Sequence, residues 1–238
     1  MDSLAGKFAV VTGGTRGIGR AIAERLLRAG VSVAICGRKS DSVTLALDQM
    51  KALGRVFGQV ADVTDFAQVR NFFQSVGKEF GRLDILVNNA GEGVFKKVAE
   101  MTPEEWRRNI DLNLNGPFYC SHEALALFGA RGGFIVNISS LAARNAFAGG
   151  AGYNASKAGL NKFIEALMLD HRYDNVRISS IMPGSVNTEF GGDSSKRAGD
   201  TSWMIQPEDV AETVALVLAM PERTMISSVE MRPSRPKK

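Results

Sequence analysis

Cysteine, histidine and tryptophan are each present only twice in 238 residues. Cys36 falls in an apolar run expected as a buried strand, and Cys120 in a helical pattern. With no metal-ligand spacing between them, neither a disulfide nor zinc is expected, and a reducing compartment suits both thiols. His122 and His171 stand alone on expected helices and read as surface or satisfied histidines, since neither belongs to a partnered motif. Long hydrophobic runs are also missing. KFAVVT and VSVAICG are too short to span a bilayer, and the first residues lack the charged, apolar and cleavage regions of a signal peptide. These absences predict a cytoplasmic protein with no membrane association. The formal charge is only +4, and Arg232, Arg235, Lys237 and Lys238 gather in a polar tail over 232–238. Without a basic stripe interleaved with aromatics, nucleic acid is not an expected partner.

What is present is an alternation of short β-branched runs with longer helical ones. KFAVVT, VSVAIC, RVFGQVAD, LDILVN, GFIVNIS, VRISSIM and ISSVEM read as seven strands, and most are separated by helical spacing. The first helix runs from Gly17 to Ala29 with apolar Ile18, Ile22 and Leu26, and stops at Gly30. Thr102 with Pro103 and two glutamates opens another helix, and Pro207 in QPEDVAETV opens a third. Apolar strands alternating with helices imply an α/β fold of the Rossmann, doubly wound type: a seven-stranded parallel sheet with helices on both faces, in one domain over 1–238. A ligand belongs beyond the carboxyl ends of such strands. Glu189 to Gln206 is a polar, Gly-rich stretch without periodicity, either a disordered connection or a functional lid.

TGGTRGIG, Thr12 to Gly19, joins the first strand to the first helix with the spacing Gly13-x-x-x-Gly17-x-Gly19. Glycines there let the backbone approach a pyrophosphate, which then sits on the free N–H groups of the helix start. The competing reading is a tight strand-to-helix turn; placement between strand and helix favours the dinucleotide. An acid that would grip the ribose 2'-OH of NAD belongs at the end of the second strand, where Gly37 stands instead. Arg38 and Lys39 follow it, and Arg16 lies inside the turn. Unless Arg38 and Lys39 are ordinary solvated charges, the three form a two-sided clamp for a 2'-phosphate, which predicts NADPH over NADH.

A second constellation is Tyr153-x-x-x-Lys157. On a helix these residues face the same side, one turn apart. An ammonium beside a phenol stabilises the phenolate, at about 1.4 kcal/mol per pKa unit, so Lys157 is expected to make Tyr153 a better acid. Tyr153 would then protonate a carbonyl oxygen as a hydride reaches its carbon. Ser140, at the end of the fifth strand, can hydrogen-bond the same oxygen, whereas Ser139 should point to the strand's other side.

In these features the sequence resembles the short-chain dehydrogenase/reductase family, in its single-domain form of about 250 residues, nearly end to end. TGGTRGIG resembles the family's cofactor turn, Asp62-Val63 its adenine-side acid, and NNAG from Asn88 to Gly91 its fourth-strand signature. NLNGPF, Ser140, Tyr153 with Lys157, and Pro183-Gly184 with Thr188 follow in the family's order. The resemblance implies a cofactor site of Gly13, Thr15, Arg16, Gly17, Ile18, Gly19, Arg38, Lys39, Asp62, Val63, Asn89, Ala90, Gly91, Tyr153, Lys157, Pro183, Gly184, Val186 and Thr188. It also implies catalysis by Asn113, Ser140, Tyr153 and Lys157, with Asn113 holding a water in a proton relay and Lys157 binding the nicotinamide ribose. Asn115 competes with Asn113; a helix-start cap is the plain reading of both. No metal is implied.

The substrate is a small-molecule carbonyl. The pattern is similar to 3-oxoacyl-[acyl-carrier-protein] reductases and related carbonyl reductases, which would bring an acyl carrier protein or CoA thioester as partner. Arg131 stands where such enzymes carry a basic residue. Asp174 occupies the second basic position, with Arg172 two residues earlier, and the ending VEMRPSRPKK also departs from those reductases. A general ketone or aldehyde reductase fits as well, since fold and cofactor motifs do not fix substrate. A reading from another class is a cofactor-binding sensor without chemistry; all of Ser140, Tyr153 and Lys157 being present speaks against it. The helix after Tyr153 is apolar or small around most of its circumference, so a second apolar face suggests a homodimer or homotetramer.

Overall fold

The structure is a computed structural model that describes residues 3–190 and 200–236. Residues 191–199 of the expected lid, and Lys237 and Lys238 of the tail, lie outside the described residues. All seven expected strands form: β1 (Phe8–Thr12), β2 (Ser32–Gly37), β3 (Val56–Val60), β4 (Ile85–Asn88), β5 (Gly133–Ile138), β6 (Val176–Pro183) and β7 (Ser228–Met231). They make one sheet in the order β3-β2-β1-β4-β5-β6-β7 with every pairing parallel. The chain works outward from β1 to β3, then crosses back to lay β4 on the other side of β1. The crevice of such a sheet opens at this reversal.

Among the described residues, seven α-helices flank the sheet: α1 (Gly17–Arg28), α2 (Ser40–Met50), α3 (Phe66–Phe80), α4 (Pro103–Ile110), α5 (Gly116–Phe128), α6 (Ala151–His171) and α7 (Pro207–Leu218). Because side chains alternate along a strand, each β-branched run serves two cores at once. On β2, Val33 and Ile35 join the layer of α1, α2 and α7, while Ala34 and Cys36 join that of α3, α5 and α6. Parallel strands covered on both faces need this continuous apolar character. Helix starts follow the sequence signals. The Thr102 hydroxyl accepts from the N–H of Glu105, whose carboxylate accepts from the N–H of Thr102, a closed capping box with Pro103 in the first turn. α1 ends at Arg28, one residue before its expected limit, and Gly30 turns the chain with φ +80°.

Candidate active site

A cleft of about 1040 Å³ lies along the carboxyl ends of the strands. Its floor begins at the glycine turn. Gly13 and Gly17 hold φ of +64° and +54°, backbone that side-chain-bearing residues rarely adopt. Arg16 caps α1 without any side-chain hydrogen bond to the helix N–H groups, and no acid sits in the first turn. The positive end of a twelve-residue helix is therefore left open beside the cleft. Gly19 does not line it. A Cβ at Gly19 would run into the Asn89 amide and the Gly13 carbonyl, so this glycine serves close packing behind the turn.

Polar bonds tie this turn to β4. The buried Thr12 hydroxyl accepts from the N–H groups of Asn89 (3.0 Å) and Ala90 (3.1 Å), and the Asn89 amide donates to the Thr12 and Gly13 carbonyls. Thr12 has a positioning part that reading the sequence did not single out; its only signal was its place ahead of the glycines. Behind it, Asn88 donates to Ser121 and Asn137, a buried polar link between β4, β5 and α5.

The three expected clamp cations all line the cleft, as does Gly37, where a side chain would press on Thr15. Two of them are held by acids. Arg16 pairs with Glu189 at 2.8 Å, and Arg38 with Glu92 at 3.5 Å, where Arg108 also bonds at 2.8 Å. Asp62 accepts from the N–H and hydroxyl of Thr64 at the mouth of α3. Thr15, Ile18, Val63, Asn89, Ala90, Gly91, Pro183, Gly184, Val186 and Thr188 line the same cleft.

At the other end, α6 delivers Tyr153 and Lys157 one turn apart beside Ser140. Ser139 and Ser140 follow β5; the Ser139 N–H still bonds the Ile181 carbonyl and its hydroxyl is buried, while Ser140 lines the cleft. Ser140 is the one that hydrogen-bonds Tyr153. Its hydroxyl also accepts from the N–H of Ala142 at 3.1 Å. Lys157 donates to the Ile138 carbonyl at 3.0 Å. Burial pulls the lysine from 10.5 down to about 8. Burial also raises the Tyr153 phenol above its ordinary value, and the opposing pull comes from the Ser140 hydrogen bond. Lys157 is not among the causes of the phenol's shift: its ammonium lies 5.9 Å from the ring centroid and donates to a backbone carbonyl.

Asn113 is fully buried and does not line the cleft. It sits in a widened π-helical turn, Asp111–Asn115, that carries α4 directly into α5. Asn115 holds the N-cap position of α5 but its side chain makes no cap bond, and Asn113 lies inside the π turn, so neither side chain caps a helix. The Asn113 amide donates to the Glu92 carbonyl (2.8 Å) and accepts from the Glu92 N–H (3.2 Å), while Asn115 bonds Asp111. Both ends of the side chain thus hold the Gly91–Glu92 backbone. A Cβ on Gly91 would meet the Asn113 oxygen at 2.8 Å and the Lys157 ammonium at 3.7 Å, so this loop passes close to both.

Both ends of the expected lid reach the site. Val186 bridges Ile205, and Asn187 donates to the Ile205 carbonyl, closing the loop at its base. Glu189, Phe190, Trp203 and Met204 line the cleft together with Phe95 and Phe147. These aromatic residues were not singled out in the sequence, since no spacing connects loops that follow three different strands.

A family model described as short chain dehydrogenase matches residues 7–199. The 3α-hydroxysteroid dehydrogenase of Mediterraneibacter gnavus is 36% identical over 191 residues, 79% of this chain and 76% of the relative. Among solved structures, an alcohol dehydrogenase of the archaeon Thermococcus sibiricus, complexed with 5-hydroxy-NADP, superimposes with a TM-score of 0.90 at 30% identity, covering 98% of this chain and 99% of that one. A metagenomic short-chain oxidoreductase in complex with NADP gives 0.86 at 34% identity, covering 99% and 100%.

Proposed function

The chain belongs to the short-chain dehydrogenase family, and from that premise we propose that this oxidoreductase uses NADPH to reduce a ketone or aldehyde to an alcohol, with Tyr153 as proton donor. The observation that carries the reading is the placement of Tyr153, Ser140 and Lys157 at one end of a cleft whose other end holds Arg16, Arg38 and Lys39. These residues fit a 2'-phosphorylated dinucleotide. The open start of α1 suits a pyrophosphate, two glycines provide a backbone that lets it approach, and the absence of an acid at Gly37 leaves a 2'-phosphate unopposed there. NADP in the two superimposable structures supports the same choice.

When bound, the cofactor supplies a hydride to the carbonyl carbon. The chain's residues handle the oxygen. A phenol held above its ordinary pKa stays protonated at neutral pH and so keeps its proton ready for the developing alkoxide. Ser140, bonded to the same phenol, offers a second donor to that oxygen. Lys157 is anchored on the Ile138 carbonyl beneath them, and Asn113 positions the Gly91–Glu92 backbone beside it. We take 1–238 as one catalytic domain, 189–206 as its lid and 232–238 as a basic tail. Two buried, unpaired thiols suit a cytoplasmic setting.

A 3-oxoacyl thioester is the second reading. In its favour, Arg131 and Arg172 are brought to one edge of the sheet, where Gly133 donates to the Asn175 carbonyl. That edge is the amino end of β5, roughly 20 Å of strand from Ser140. The test is NADPH absorbance against acetoacetyl thioesters, α-diketones and aromatic aldehydes. Tyr153→Phe should lower kcat by at least about a hundredfold while NADPH still binds. Retained turnover would overturn the donor role, silence across the panel would favour a sensor, and preference for the thioester would favour the carrier-linked substrate. An equal or better kcat/KM with NADH would remove the phosphate clamp.

A further inference from the structure

We propose that the carbonyl substrate carries an aryl ring close to its carbonyl; this rests on the reductase reading above. Two phenylalanines from separate loops flank the Tyr153 ring, and a third from another loop extends the set. Phe95 meets it edge-on, with centroids 5.5 Å apart at 80°, and Phe190 lies 5.6 Å away at 58°. Phe147 continues the set at 5.7 Å from Phe95. Phe95 and Phe147 each leave more than two fifths of their surface exposed, at 43% and 46%. Both line the cleft, so the exposed ring surface faces the place where a substrate must sit. Aromatic rings prefer tilted and edge-to-face partners at these separations, and a flat aromatic group completes the arrangement better than a saturated one of equal size.

Charge points the same way. Arg232, which lines the cleft, shares Glu230 with Arg144, at 2.9 and 2.6 Å. A carboxylate or phosphate on the substrate would find each of these guanidiniums engaged, whereas an uncharged ring displaces none of them. The rings also lie over glycines. A Cβ at Gly150 would strike Phe147 at 2.6 Å, and one at Gly93 would strike Phe95, so the backbone beneath has no side chain to lift either ring.

The test compares phenylacetone with cyclohexylacetone, a flat aromatic ring against a puckered saturated one with the same carbon skeleton and an unconjugated carbonyl in both, alongside 2,3-butanedione. Phenylacetone should show kcat/KM roughly tenfold above cyclohexylacetone, and Phe147→Leu, a change at a half-exposed position, should shrink that ratio. Turnover of butanedione with equal or better use of cyclohexylacetone overturns the aryl site and leaves the reductase reading standing. Failure to reduce any carbonyl overturns both. An unchanged ratio in Phe147→Leu and in Phe95→Leu also overturns the aryl site.

Discussion

Lys157 keeps only 4% of its surface exposed, and its ammonium donates to the Ile138 carbonyl. Its pKa of about 8 in the folded chain lies below the 10.5 of an ordinary lysine. Between these values the unfolded chain holds a proton that the folded chain has released, so raising the pH through this window favours folding. Below it, the full penalty of a buried charge remains. In urea titrations, wild type should therefore gain stability on Lys157→Met by on the order of 2 kcal/mol between about pH 7 and about pH 10. A gap that stays constant would mean that the lysine titrates normally. The i, i+4 spacing of Tyr153 and Lys157 was legible in the sequence because a helix imposes it. Their pKa directions were not, because the desolvation depends on the tertiary surroundings of the two side chains, which no local pattern encodes.

The π turn at Asp111–Asn115 shows how a helical segment can be read correctly in kind and wrongly in detail. Gly116 and Pro117 look like a helix start, and α5 does begin there, but the preceding turn widens instead of breaking. That widening coincides with Asn113 clamping Glu92 from both sides. Removing the amide leaves a partly buried N–H and carbonyl without their partner. Asn113→Ala should cost about 1–3 kcal/mol, read as a melting temperature lower by about 2–4 °C per kcal/mol. The same variant should lose activity beyond what its stability explains, because Gly91 is then free to shift beside Lys157. An unaltered melting temperature would mean that the clamp contributes nothing. Strand starts and helix openings were legible because each is a local rule, whereas the clamp joins residues 21 positions apart.

A parallel, seven-stranded sheet followed from apolar strands alternating with helices, and its all-parallel pairing carries the landmarks to the carboxyl ends of the strands. Assembly is a separate matter. Phe118, Leu169 and Tyr173, on α5, on α6 and just beyond it, are 48%, 58% and 89% exposed, and Phe118 stacks on Phe163 at 6.0 Å. We expect a second copy to cover this surface. Light scattering should give a mass of two or four times 25.6 kDa, and Phe118→Asp with Leu169→Asp should bring it down to that value. A wild-type particle of 25.6 kDa would refute the assembly. The Arg16–Glu189 pair, meanwhile, spans 173 positions and joins the first helix turn to the segment after β6. Both partners are largely exposed, so the pair itself contributes little. Under the proposed cofactor, one guanidinium then has two anionic claimants. By linkage, whatever factor Glu189 takes from phosphate affinity, phosphate takes from Glu189's hold on the turn. Cofactor arrival and the parting of Glu189 from Arg16 become two descriptions of one equilibrium.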